Sequence, residues 1–312
     1  MPRITPKTLL KAYRINPLLP LLLPECRTID QAKIEYKWLS QELPLKKKNY
    51  NNIRLLKACQ LRFRHYPLQY ILKTQPFGNI IINCKPGVLI PRWETEEWCL
   101  KLINNVKIIN DLKVLDLCTG TGCIPILLAH SLISYQKNTN FKGQLIGVDV
   151  SPIAIDLAKE NSRQLASNID GTSLSSVLQF IQGDILNQNN IINKNAHFDI
   201  ITCNPPYIHN FIRAASVRCY EPKLALYGNL IFYQNLIDKW INRTDSFIYE
   251  VGDMNQVQFL YQKLKTLNSK DTWKVGFAKD SNDQVRCVYG YKSNNTRLPM
   301  NHIFEKFGQI LC

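Results

Sequence analysis

The chain has 312 residues, 45% of them hydrophobic, enough apolar content for a sizeable folded core and a composition that excludes wholesale disorder. Lysine and arginine number 39 against 24 acids, a net charge of +15 that favours anionic partners, either RNA or a ribosome-associated protein. Ten cysteines contain no CxxC pair and five histidines no HxxxH. Neither a metal site nor a disulfide framework is expected, and the compartment is expected to be reducing.

Residues 1–26 carry Arg3, Lys7, Lys11 and Arg14 before the first acid, Glu25. That bias suits an organellar import segment or the first helix of a basic domain. Its apolar part is short and cut by Pro17, Pro20 and Pro24, so no membrane insertion is expected. Residues 27–72 read as a small helical domain. "TIDQAKIEYKWLSQEL" offers Thr28 and Asp30 as caps and sets Ile34, Trp38 and Leu39 at helical spacing. "NNIRLLKACQLRFRHY" sets Ile53, Leu56, Cys59 and Phe63 on one face. After Pro67, "QYIL" and "NIIINC" look β-like, and residues 73–98 read as a hairpin linker and junction.

Residues 99–312 then alternate strands with helices, which predicts an α/β fold with a parallel sheet and crossover helices. "KVLDL", "QLIGVDV", "VLQFIQG", "FDIITC" and "SFIYEVG" are the strands, with "TWKVGFA" and "RCVYGY" completing the sheet. "SYQKNTNFKG" and "NQNNIINKN" read as enlarged surface loops.

"VLDLCTGTGCIPILLA" is a strand, a small-residue turn and a helix start. Gly120 and Gly122 permit positive φ and close backbone approach. Asp149 ends the next strand, where a carboxylate can accept both hydroxyls of a ribose. Asp184 and Ile185 end the third, an acid and an apolar side chain suited to an adenine. Neither GxGxxG nor GxxxxGK[ST] is present. A loop without a pyrophosphate cradle favours S-adenosylmethionine over a dinucleotide, and methyl transfer over dehydrogenation. Asp116 would approach the methionine ammonium or orient the loop.

The fourth strand stops at Asn204-Pro205-Pro206-Tyr207. The Asn204 side-chain oxygen and the Pro205 carbonyl are acceptors, and a planar –NH₂ supplies two donors. Held by both, such a nitrogen is pushed toward tetrahedral geometry, with Tyr207 stacked on its plane. The proton becomes acidic as methylation proceeds, so positioning replaces a general base. This corner names a nitrogen acceptor without choosing between an amide and an adenine.

Further blocks lie outside the generic core. "PLQYILKTQPFGN", "GVLIPRWETEEW", "YEPKLALYGNLIFY", "IYEVGDMNQ" and "KDSNDQVRCVYGY" together make residues 28–292 resemble the HemK/PrmC family of protein-(glutamine-N(5)) methyltransferases. The resemblance implies a class I, Rossmann-like methyltransferase sheet behind a small helical domain. It implies methyl transfer from S-adenosyl-L-methionine to the glutamine of the Gly-Gly-Gln loop of a peptide chain release factor. With the basic N-terminus, the bacterial-like layout points to mitochondria, with the release factor free or ribosome-bound and the enzyme a monomer. Cys118, Thr119, Gly120, Thr121, Gly122 and Asp149 would line the cofactor site, with Ile185 beside the adenine. Asn204 would touch cofactor and glutamine, with Pro205, Pro206 and Tyr207 completing the pocket and Arg92 and Glu94 bracing it. The N-terminal helices would hold the release factor, its loop inserted between the domains. Cys118 and Lys73 stand where the family has glycine, and Trp93 where it commonly has proline. The rivals are an adenine-N6 methyltransferase of RNA or DNA, which uses the same corner on a flipped base, and a cofactor-binding ribosome assembly factor.

Overall fold

A computed structural model describes residues 3–43, 48–106, 108–135, 141–166, 174–187, 191–267 and 272–311. The enlarged loops expected at 134–143 and 187–195 fall partly outside these residues. The chain forms two compact units, Met1–Gln75 with Cys84–Pro86 and Phe211–Glu221, and Pro76–Asn83 with Gly87–Asn210 and Pro222–Cys312.

The first unit is helical: Pro6–Ile15, Leu19–Cys26, Ile29–Glu42, Lys48–Phe63 and Leu68–Leu72. Residues 1–26, set apart in sequence by their charge, thus contain its first two helices. Ala12, Leu19, Leu22 and Leu23 are fully buried with Ala32, Leu39, Ala58 and Cys59. The hydroxyl of Thr28 caps its helix by accepting from the Gln31 N–H. Two expectations need correction. Ile34, Trp38, Ile53, Leu56 and Phe63 are exposed rather than inward. The buried faces instead carry small residues and an ion pair, in which Arg62 Nη2 donates to Glu35 Oε2 at 3.0 Å. "QYIL" is helical, because Pro67 precedes a single turn that ends at Lys73 in the left-handed conformation, φ 69°.

β1 (Thr74–Phe77) and β2 (Ile80–Asn83) form a two-stranded sheet. The main sheet of the second unit contains β3 (Lys113–Leu117), β4 (Gln144–Asp149), β5 (Leu178–Gln182), β6 (Ile200–Cys203), β7 (Ser246–Glu250), β8 (Trp273–Lys279), β9 (Val285–Lys292) and β10 (Gln309–Ile310). Their order is β10-β8-β9-β7-β6-β3-β4-β5. The five strands from β5 to β7 pair in parallel, and β8, β9 and β10 pair antiparallel. β10, contributed by the C-terminal tail, was absent from the sequence expectation.

The central strands are buried on both faces, which is why they read as apolar runs. Val114, Leu145, Ile200 and Ile248 face one core, shared with helices Trp93–Val106 and Cys123–Tyr135. Leu115, Leu117, Ile201 and Tyr249 face the other, shared with Tyr233, Trp240, Val257 and Leu260. β3, β4 and β5 succeed one another outward, and the chain then returns to place β6 on the opposite side of β3. That reversal is the position where open α/β sheets bind ligands beyond the carboxyl ends of their strands.

Candidate active site

Register brings the strand ends together: Leu117 of β3 pairs with Val148 of β4 and with Cys203 of β6. The turn after β3 is closed by the Thr119 N–H donating to the Val148 carbonyl and the Gly122 N–H donating to the Thr119 carbonyl. Cys118, Gly120 and Gly122 all have positive φ, at 58°, 55° and 77°. A cavity of about 220 Å³ opens here. Cys118, Thr119, Gly120 and Thr121 line it, facing Asp149, Asp184 and Ile185; Asn204, Pro206 and Arg92 line it too.

The other residues expected in the site stand behind this wall. A Cβ on Gly122 would meet Ala158, Ile126 and Phe180 at 3.0 Å, so this glycine seats the following helix against the sheet. Asp116 is fully buried and accepts from the Thr202 hydroxyl at 2.7 Å. Its Oδ2 sits by the Thr119 hydroxyl without a well-directed hydrogen bond. Burial, reinforced by Asp149, pushes the Asp116 carboxyl up to about 7. Tyr207 lies against Gly252, and its hydroxyl donates to Glu250 Oε1 at 3.0 Å. Glu94 lies 3.5 Å from the Arg286 guanidinium, which is 2.6 Å from Asp280.

The acids of the cavity have distinct settings. Asp149 accepts the Gly120 N–H on Oδ2 and the Ser151 N–H on Oδ1, each at 2.9 Å, so it orders the loop and keeps lone pairs for a ligand. Its burial raises its pKa, against those backbone bonds. Burial also works to raise Asp184, but the Asn187 amide and the Leu186 and Asn187 N–H groups hold it below the usual range. The loop after β5 is held by residues in and just before a π-helical turn, Leu236–Trp240. Just before it, Asn235 Nδ2 donates to the Ile185 carbonyl at 3.0 Å, and Lys239 Nζ donates to the Leu186 carbonyl at 2.7 Å.

Sequence reasoning missed two residues. Thr95, on helix Trp93–Val106, accepts from Asn204 Nδ2 at 3.1 Å and donates to Glu250 Oε2 at 2.6 Å. Glu250 also accepts from Trp98 Nε1 at 3.1 Å. The available signal was a lone acid closing the apolar run "SFIYE", where an unpaired charge would be costly.

The walls fit a nucleoside with an amino-acid tail. A Cβ on Gly120 would meet nothing within 4 Å, leaving room at the loop. Ile124, Val150, Ile185 and Phe232 supply apolar wall, and Asp149 an acceptor. With acceptors for a planar nitrogen at Asn204, the fold and site define a class I S-adenosylmethionine-dependent methyltransferase. A model described as a methyltransferase domain matches residues 108–289. The chain is 44% identical to the mitochondrial MRF1 N(5)-glutamine methyltransferase MTQ1 of Saccharomyces cerevisiae, over 99% of this chain and 95% of that protein. It is 37% identical to the probable MRF1 mitochondrial N(5)-glutamine methyltransferase of Schizosaccharomyces pombe, over 92% and 96%. Identity to the release factor glutamine methyltransferase of Mycoplasma mycoides is 31%, over 81% and 86%. The chain belongs to the release factor N(5)-glutamine methyltransferase family.

Proposed function

We propose that the chain transfers the methyl group of S-adenosyl-L-methionine to the side-chain amide nitrogen of the glutamine in the Gly-Gly-Gln motif of a mitochondrial release factor, supporting translation termination. The observation that carries this reading is the position of Asn204, which directly follows β6 and lines the same cavity as the loop after β3. When bound, the cofactor supplies an electrophilic sulfonium methyl, the S–C bond breaking as the N–C bond forms. Asn204 Oδ1 and the Pro205 carbonyl accept the two amide N–H groups, and the nitrogen releases one proton to solvent as it is methylated. Asp149 would accept the ribose hydroxyls, Ile185 would pack against the adenine, and Cys118, Thr119, Gly120 and Thr121 would hold the methionine end. Asp116 and Gly122 shape that loop from behind. Arg92 lines the substrate side, while Glu94 braces it through Arg286.

The first unit supplies the docking surface for the release factor. It exposes Ile34, Trp38, Leu56 and Phe63, apolar side chains suited to a protein partner. The net charge of +15 suits a factor presented on the ribosome, and the enzyme acts as a monomer. Among the described residues no helix is long and apolar enough to cross a membrane. No observation favours the adenine-N6 alternative.

Incubation with methyl-labelled cofactor and a release factor tests the acceptor. Label is expected in the factor and is expected to vanish when the motif's glutamine is replaced by alanine. Label in RNA, or label that survives that replacement, would overturn the assignment. Asn204→Ala is expected to abolish turnover while retaining most cofactor affinity.

A further inference from the structure

We infer that Glu250, acting through Thr95, sets the side-chain amide of Asn204 so that its oxygen rather than its nitrogen faces the substrate. Thr95 and Glu250 are then positioning residues for methyl transfer, a role that rests on the function proposed above.

The reasoning is one of counting donors. A threonine hydroxyl has one proton, and that of Thr95 is committed to Glu250 Oε2 at 2.6 Å, a short, charge-assisted bond. The same carboxylate oxygen receives Trp98 Nε1, which can only donate. The other oxygen receives the Tyr207 hydroxyl. Glu250 is 1% exposed, so protein donors take the place of water around it. With its proton committed, Thr95 Oγ1 can only accept, and Asn204, 3.1 Å away, must present Nδ2 to it. Oδ1 is the atom left over, and among the described residues it accepts no hydrogen bond.

The direction of this relay matters because the two ends of an asparagine amide have nearly the same shape. Rotated by half a turn, Asn204 would aim an N–H at a substrate group that itself offers only N–H. Two donors would face each other, and the clamp on the nitrogen would be lost. The sheet builds the arrangement directly. Cys203 of β6 pairs with Tyr249 of β7, so the next residues along, Asn204 and Glu250, end adjacent parallel strands. Thr95 reaches the pair from helix Trp93–Val106. The same carboxylate anchors Tyr207, so one buried acid holds two members of the Asn-Pro-Pro-Tyr corner.

Thr95→Val removes the hydroxyl at constant shape and is the decisive variant. It is expected to lower kcat roughly a hundredfold, the scale of losing one preorganised polar group at a reacting centre. KM for the release factor and Kd for S-adenosylmethionine are expected to stay within about threefold. Thr95→Ser, which keeps the hydroxyl, is expected to restore kcat to within about threefold of wild type. Glu250→Gln, which leaves Thr95 only a neutral acceptor, is expected to fall between wild type and Thr95→Val, and the double variant to be no worse than Thr95→Val. The second readout needs no substrate: nitrogen-15 spectra of asparagine-labelled protein, with the Asn204 side-chain pair identified by its loss in Asn204→Ala. Solvent exchange of that pair is expected to be slow in wild type and Thr95→Ser and at least roughly tenfold faster in Thr95→Val. Wild-type kcat in Thr95→Val, equal losses in Thr95→Ser and Thr95→Val, or unchanged exchange would each overturn the relay. A wild-type enzyme that leaves the glutamine unlabelled would instead overturn the function, and the exchange measurement would still decide the relay.

Discussion

Gly228 stands so close against the Pro206 carbonyl that a Cβ at this position would overlap the oxygen. The contact is held by a pair of backbone bonds, the Gly228 N–H donating to the Ile208 carbonyl at 3.1 Å and the Ile208 N–H donating to the Leu226 carbonyl at 3.0 Å. The strip around Gly228 is thereby zipped onto the Asn-Pro-Pro-Tyr corner. Gly228→Ala must push the two apart. Its kcat is expected to fall at least roughly tenfold, since displacements of about an ångström at a reacting centre are costly. Cofactor affinity, measured by calorimetry, is expected to change little, because Gly228 does not line the cavity.

Activity should have an acid limb governed by Glu250. Burial raises its carboxyl above the ordinary 4.5, against hydrogen bonds from Thr95, Trp98 and Tyr207, and the nearby Glu94 raises it further. Arg286, which pairs with Glu94, is the cation on this side. The relay is strongest in the ionised form, because protonation of Glu250 weakens the acceptor that commits the Thr95 proton. Turnover is therefore expected to be highest above the Glu250 pKa and to decline as pH falls through it. A profile of kcat against pH checks this, and the residual activity of Glu250→Gln should lack that limb.

Asp116 links stability to pH in the opposite sense. Its pKa is raised by burial from 3.8 to about 7, so the folded state holds the proton more tightly than the unfolded chain. The resulting stabilisation is fully present below 3.8 and is lost as pH rises through about 7. Asp116→Asn, neutral throughout, is expected to gain on wild type across that window. Urea unfolding of both proteins at each end of the window measures the difference.

The N-terminal segment is structural as well as basic. Ala12, Leu19, Leu22 and Leu23 are fully buried in the first unit's core. Removing residues 1–26 is expected to unfold that unit, seen as lost helical circular dichroism and rapid proteolysis of residues 29–72. Losing several buried leucines at about 2–5 kcal/mol each exceeds what a small unit can spare. A reporter fused to residues 1–30 tests import, and cytosolic retention would count against a signal there.

The central strands were legible because burial on both faces writes apolar runs that end in chemistry-bearing residues, as at Asp149 and Asn204. The cavity residues from Cys118 to Thr121 were legible for the same reason, since small residues at a strand end announce close approach. "QYIL" was not, because five residues fit one helical turn as well as a short strand. The inward faces of the first unit were misread because Glu35 and Arg62 bury each other, leaving Ile34, Trp38 and Phe63 outside. Glu250 left only the acid that closes "SFIYE" as a signal and Thr95 none, because only the fold brings them to Asn204. Trp93 for proline is readily explained, since helix Trp93–Val106 begins there and proline suits a first turn.

Two turns keep a shape that their side chains resist. Cys118 and Lys73 hold φ at 58° and 69°, the left-handed geometry that glycine adopts most easily. A side chain there costs about 1–2 kcal/mol in the fold, while glycine would give back roughly 0.5–1 kcal/mol in chain entropy. Lys73→Gly and Cys118→Gly are therefore each expected to gain roughly 0.5–1 kcal/mol, read from urea midpoints. In both places the backbone takes a path for which glycine would be the most comfortable residue. The curvature of these turns is thus enforced by their surroundings, and Lys73, which does not line the cavity, marks a position where this enzyme could be made sturdier away from its site.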